Sequence, residues 1–135
     1  MKSFAIICIA VLVAGCGGID LSTPDETRLT GDYHYLWNYD AIPPQLNIGR
    51  KTSDSGYTIL IQDVAAYGWT NDFIIAKCQP AASSNATSYA ILKVNTSNST
   101  ERIFQNLSQD SFDRKRKELS VPSDLIFARD YEQKR

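Results

Sequence analysis

Tyr57-Thr58-Ile59-Leu60-Ile61-Gln62-Asp63-Val64 is the stretch whose reading decides the fold. It is rich in β-branched and aromatic residues, which suit a pleated, half-buried surface, and it reads as the strongest strand of the chain. Thr52-Ser53-Asp54-Ser55-Gly56 is turn chemistry and isolates its start. Beyond it, Ala65 to Asn71 holds Gly68 and Asn71 and reads as a bend or bulge.

Strand patterns recur on both sides of this stretch. Upstream, Tyr33, Tyr35, Trp37 and Tyr39 alternate with His34, Leu36, Asn38 and Asp40, a period of two. Ile42-Pro43-Pro44 interrupts that run, because proline cannot donate to a ladder. Leu46 and Ile48 then alternate with Asn47 and Gly49 in a second strand. Downstream, Phe73-Ile74-Ile75-Ala76, within Asp72 to Cys78, is an apolar run short enough for a buried central strand. Thr87 to Val94 places Tyr89 and Ile91 on one side, and Ala90, Leu92 and Val94 on the other. The segments from Gln79 to Ala86 and from Asn95 to Thr100 are small and polar and read as loops, and Glu101 to Leu107 reads as a last short strand.

The pattern changes at Ser108. Ser108 suits a helix N-cap, and Asp110 places negative charge in the first turn, where unpaired amides favour it. Phe112 and Leu119, with the stem of Arg116 between them, share one helix face, and Pro122 is expected to end the helix. Leu125-Ile126-Phe127 adds a final apolar contact. Strands followed by one helix predict an α+β fold: an antiparallel sheet of about five or six strands with a C-terminal helix packed on it.

Charge and cysteine content exclude several functions. The chain has 14 basic and 15 acidic residues, and a near-neutral surface argues against nucleic acid as partner. Arg114-Lys115-Arg116-Lys117 is flanked by Asp110, Asp113 and Glu118 at helical spacings, so a solvated face laced with ion pairs is expected. Contact with anionic headgroups is the alternative. Cys78 reads as a buried, inert thiol. His34, the single histidine, falls short of a metal site with Asp32 and Asp40, since zinc needs three or four convergent ligands. No Gly-x-Ser-x-Gly elbow and no phosphate-cradling glycine loop is present. Neither a catalytic residue nor a metal nor a cofactor is assigned. Four Asn-x-Ser/Thr sequons, at Asn85, Asn95, Asn98 and Asn106, mark polar turns. The aromatic row Tyr35, Trp37 and Tyr39, with Tyr67 and Trp69, is the best candidate for a binding wall; filling the core of a small sheet is the other reading.

The amino-terminal segment carries an address. Phe4 to Val13 is almost entirely apolar and follows Lys2; it is shorter than the roughly 20 apolar residues a membrane span needs. A positive n-region, a short apolar stretch and small residues make a secretory signal. Val13-Ala14-Gly15-Cys16 resembles the lipobox of bacterial lipoproteins. That resemblance implies cleavage before Cys16, a diacylglycerol on its sulfur and anchoring to a membrane surface, since two or three acyl chains hold stably. Gly17, where aspartate would resemble an inner-membrane retention signal, favours the outer membrane in a two-membrane bacterium. The expected organisation is a signal peptide over 1–15, a lipidated cysteine and polar tether over 16–30, and one globular domain over 31–135.

Within that domain the residues Gly31-Asp32-Tyr33 with Tyr35, Ile42-Pro43-Pro44, Val64 with Tyr67, Phe73-Ile74-Ile75-Ala76-Lys77 with Pro80, Tyr89-Ala90-Ile91-Leu92 and Phe112 through Leu119 form an ordered set. In these the domain resembles a family of small bacterial lipoproteins defined as a domain of unknown function. No catalytic residue transfers from that likeness. Ser55-Gly56-Tyr57 departs in spacing from the Ser-Gly-x-x-Tyr pattern of periplasmic lysozyme inhibitors, which it superficially resembles. The expectation is a non-catalytic, lipid-anchored envelope module that binds a protein or a cell-wall glycan. An immunity or inhibitor protein against a toxin or hydrolase is the alternative, and a small enzyme using His34 or Cys78 is the third.

Overall fold

The computed structural model describes residues 25–38, 41–42, 44–80, 86–94 and 101–128. The signal peptide, Cys16, Tyr39, Asp40, Pro43 and the sequons at Asn85, Asn95 and Asn98 lie outside the described residues. Among the described residues eight strands are present where about five or six were expected: β1 (Asp25–Thr30), β2 (Tyr33–Asn38), β3 (Gln45–Lys51), β4 (Tyr57–Ile61), β5 (Val64–Trp69), β6 (Phe73–Cys78), β7 (Ser88–Lys93) and β8 (Arg102–Leu107). A helix, α1 (Gln109–Glu118), follows them. The strands form two antiparallel four-stranded sheets, ordered β1-β2-β3-β4 and β5-β6-β7-β8.

The extra strands come from two places. Asp25–Thr30, expected as the end of a polar tether, pairs with β2 as an edge strand, and its Leu29 side chain joins the core at a register shift. Polar alternation satisfies an edge strand, so composition alone does not separate it from a linker. The stretch from Tyr57 to Val64 is two strands, broken at Gln62-Asp63. Asp63 adopts a left-handed backbone, φ 56°, and there the chain leaves the first sheet for the second. Asp tolerates that conformation better than most residues, because its short polar side chain bonds locally. The bend expected from Ala65 to Asn71 is accordingly strand β5, with a register shift between Val64 and Ala66.

The two sheets pack face to face. Leu29, Tyr33, Tyr35, Ile48 and Ile61 of the first sheet meet Val64, Tyr67, Ile74, Ala76, Cys78, Ala90 and Leu92 of the second in one core. The opposite face of the second sheet is covered too: Phe73, Ile75 and Ile91 pack with Phe112 of α1 and with Val121 and Leu125 beyond it. This is why Phe73-Ile74-Ile75-Ala76 is apolar without interruption. Both faces of β6 are buried, and fully burying each of Phe73, Ile74 and Ile75 contributes about 1.5–3 kcal/mol. Arg50 on β3 reaches Glu101, just before β8, in an ion pair that ties the sheets together.

The helix begins as expected, with the Ser108 hydroxyl accepting from Ser111 N–H at 3.2 Å and Asp110 in the first turn. It ends earlier than Pro122. Ser120 is left-handed, φ 57°, with Ser120 N–H donating to Lys117 O and Val121 N–H to Arg116 O, a pair of hydrogen bonds that closes a helix. The chain then crosses the second sheet and pairs at Ala128, whose N–H donates to Tyr67 O at 2.6 Å.

Candidate functional site

Alternation on β2 and β5 points Tyr35, Trp37, Tyr67 and Trp69 into the space between the sheets. Their rings form a continuous ladder: Tyr35 stacks on Trp37 at 5.6 Å and on Tyr67 at 4.3 Å, and Tyr67 stacks on Trp69 at 5.8 Å. The inner pair is core, with Tyr35 5% and Tyr67 3% exposed, whereas Trp37 is half-buried and Trp69 is 37% exposed. The four described members of the wall expected from sequence therefore form one stack that starts in the core and ends at the surface. Each ring pair adds about 0.5–1.5 kcal/mol beyond its burial, so the outer ring is held by the inner ones.

Beside the ladder the C-terminal segment crosses Gly68. A Cβ on Gly68 would collide with the Ile126 carbonyl oxygen, so only glycine admits the crossing. The segment is fastened by Arg116, whose Nη2 donates to Pro122 O at 2.7 Å and to Leu125 O at 2.8 Å. Leu125 is buried, while Ile126 is 73% exposed near the end of β5. Trp69 and Ile126 thus add apolar surface along one edge of the second sheet.

His34 lies on the opposite face of β2 from the ladder, as neighbours on a strand must. It is buried, and its Nδ1 stands 3.1 Å from Glu26 Oε2 without the alignment of a hydrogen bond. Glu26 Oε1 is 3.7 Å from Lys51 Nζ, Lys51 sits 5.7 Å over the Tyr57 ring, and that ring meets His34 edge-on at 5.7 Å. One side chain from each strand of the first sheet builds this cluster. It lacks an aligned nucleophile, and among the described residues no three His, Cys, Asp or Glu side chains converge as metal ligands. Asp32 sits exposed in the β1–β2 turn.

Cys78 closes β6 and is buried. Burial, and then the negative charge of Asp63, push its thiol from 9.0 up to about 11. A thiol so protonated at neutral pH is a weak nucleophile. It lines a groove of about 360 Å³ with Gln62, Asp63, Ser88, Gln105 and Asn106. Sequence reasoning missed this groove, since its walls come from the ends of four strands and no local motif marks it.

The basic cluster is divided between tasks. Arg116 serves the C-terminal segment, and Lys115 pairs with Glu118 at 2.7 Å and lies 4.8 Å over the Phe104 ring. Arg114 donates to Ser111 Oγ at 3.3 Å, and Lys117 is exposed. Among the described residues no helix is long and apolar enough to cross a membrane.

No curated protein and no solved structure is significantly similar to the chain. A family model does match, over residues 30–131, which takes in every strand from β2 onward together with α1. By that match the chain belongs to the family described as "Protein of unknown function (DUF3997)".

Proposed function

We propose that the protein is a lipid-anchored lipoprotein of the bacterial envelope whose domain is a non-catalytic binding module for a protein or cell-wall partner. The anchor rests on Val13-Ala14-Gly15-Cys16, with fatty chains on Cys16 holding the domain to the cell membrane or, behind two membranes, to the outer one. The observation that carries binding is Trp69: an exposed indole stacked on a buried tyrosine, on the strand whose Gly68 is crossed by the exposed Ile126. A ring already held in place loses little freedom when a partner covers it, and tryptophan is the residue most enriched at binding hot spots. The protonated Cys78 thiol and the absence of an aligned nucleophile beside His34 weigh against chemistry by either residue.

Two experiments test this reading. Labelling cells with an alkyne fatty acid should tag the wild-type chain and leave Cys16→Ser untagged and released from membranes. A photo-crosslinking residue placed at position 69 in intact cells should give a discrete adduct that the same residue at position 117 does not. Equal adducts at both positions, or none at 69, would refute the binding assignment.

A further inference from the structure

We propose that the groove between the edges of the two sheets is a second binding site, which takes an ammonium group carried on a short extended peptide. It runs from Gln105 and Asn106 on β8 to Cys78 and the Asp63 corner before β5, at the opposite end of β5 from Trp69. β4 ends the first sheet and β8 ends the second, so each offers a row of main-chain groups along this flank, as a docking peptide strand requires. Gln105 Nε2, donating to Leu60 O at 2.9 Å, joins the two edges. The volume, about 360 Å³, is at the small end of ligand sites. That suits one long side chain and its adjoining peptide units, with Ile59 and Leu60 as the apolar part of the lining for an aliphatic stem.

Charge selects the occupant. Among the described residues Asp63 is the one acidic side chain of the lining, no lysine or arginine lines it, and no ion pair engages its carboxylate. Its field reaches inward, because it raises the Cys78 thiol in addition to the larger effect of burial. A cation in the groove would meet the field of that exposed carboxylate at short range, where attraction is strongest. Ser88, Gln62 and Asn106 supply neutral hydrogen-bonding groups around it.

The backbone supports the same assignment. Three described residues other than glycine have left-handed backbones, and two of them, Asp63 and Asn106, line this groove. The third, Ser120, closes the helix. Left-handed residues of this kind gather where a site is shaped. Gln79 N–H, donating to Asp63 O at 2.8 Å, holds the corner in place.

The test uses the isotopically labelled full chain in detergent micelles, with acetyl-Ala-Lys-Ala-amide as probe and its Nε-acetyllysine counterpart as control. The lysine peptide should give saturable amide shifts at residues of the groove and bring the Cys78 thiol pKa down, since an ammonium offsets the Asp63 charge. Asp63→Asn keeps the left-handed corner, which asparagine tolerates, and should weaken the lysine peptide about tenfold while leaving the weak acetylated peptide unchanged. Shifts absent from the groove, equal affinity for the two peptides, or lysine-peptide binding unaffected by Asp63→Asn would each overturn the proposal. Because the readout sits in a groove that Trp69 does not line, its failure leaves the Trp69 assignment standing.

Discussion

Replacing Gly68 with alanine attacks the joint where the C-terminal segment meets the second sheet. The added methyl would fall far inside the contact distance of the Ile126 carbonyl oxygen, 3.1 Å from Ile126 C and 3.3 Å from Leu125 Cδ1. β5 has little room to retreat, because Tyr67 is stacked at 4.3 Å on Tyr35. The C-terminal segment must therefore lift. Lifting withdraws Leu125 from Phe73, Ile75, Ile91 and Phe112, and strains the two Arg116 hydrogen bonds and the Ala128–Tyr67 bridge.

Burial of Leu125 contributes about 1.5–3 kcal/mol, and each hydrogen bond from a charged group about 1.5–3 kcal/mol. Re-solvation of the freed groups and regained chain entropy, about 1 kcal/mol per residue, offset part of that loss. The net destabilisation should be about 2–4 kcal/mol. In urea unfolding, with a slope of about 1–3 kcal/mol per molar, it lowers the midpoint by about 1–2 M. A cycle with Leu125→Ala identifies the mechanism. If Gly68→Ala already expels Leu125, the double variant is little worse than either single one. A loss below about 0.5 kcal/mol, or full additivity, would refute the reasoning.

Other outcomes follow from single positions. Ser120→Gly removes a side chain from a left-handed position and should stabilise the domain by about 1 kcal/mol in thermal unfolding. Trp69→Ala should abolish capture of the partner yet cost far less stability than Tyr67→Ala, for which about 3–5 kcal/mol is expected of a buried ring. The Cys78 thiol is raised in the folded state, so its contribution to stability is complete below pH 9.0 and declines as pH climbs to about 11, because the unfolded chain releases that proton first. Unfolding midpoints measured across that window should fall less steeply in Cys78→Ala; an unchanged slope would reject the assignment.

Much of this architecture was legible where burial is two-sided or a cap is local. The apolar run Phe73–Ala76 announced a central strand because both of its faces are covered, and the split of Tyr89 and Ile91 from Ala90 and Leu92 matches the helix-side and inter-sheet clusters. Ser108 and Asp110 marked the helix start through side-chain chemistry confined to one turn. What stayed hidden depended on residues distant in sequence. The corner at Gln62-Asp63 has the β-forming composition of its flanks, so one strand and two strands of different sheets look alike there. β1 reads as linker because an edge strand needs only one contributor to the core, here Leu29. The aromatic row was visible, but its division into core and surface is set by Tyr35 meeting Tyr67 across the sandwich, 32 positions apart.

Asp63 combines two duties that substitutions can separate. Its backbone turns the chain from one sheet into the other at φ 56°, and its carboxylate charges the groove. The turn favours glycine and asparagine as well as aspartate, whereas a β-branched residue there costs about 1–2 kcal/mol. Stability should therefore rank Asp63→Gly and Asp63→Asn near the parent, with Asp63→Val lower by about that amount. Affinity for the lysine peptide should instead follow charge alone, falling alike in Asn and Gly and recovering in Asp63→Glu by more than its stability does. Because the two orders differ, a series in which affinity simply tracks stability would reduce Asp63 to a corner residue, and the groove to a seam between sheets.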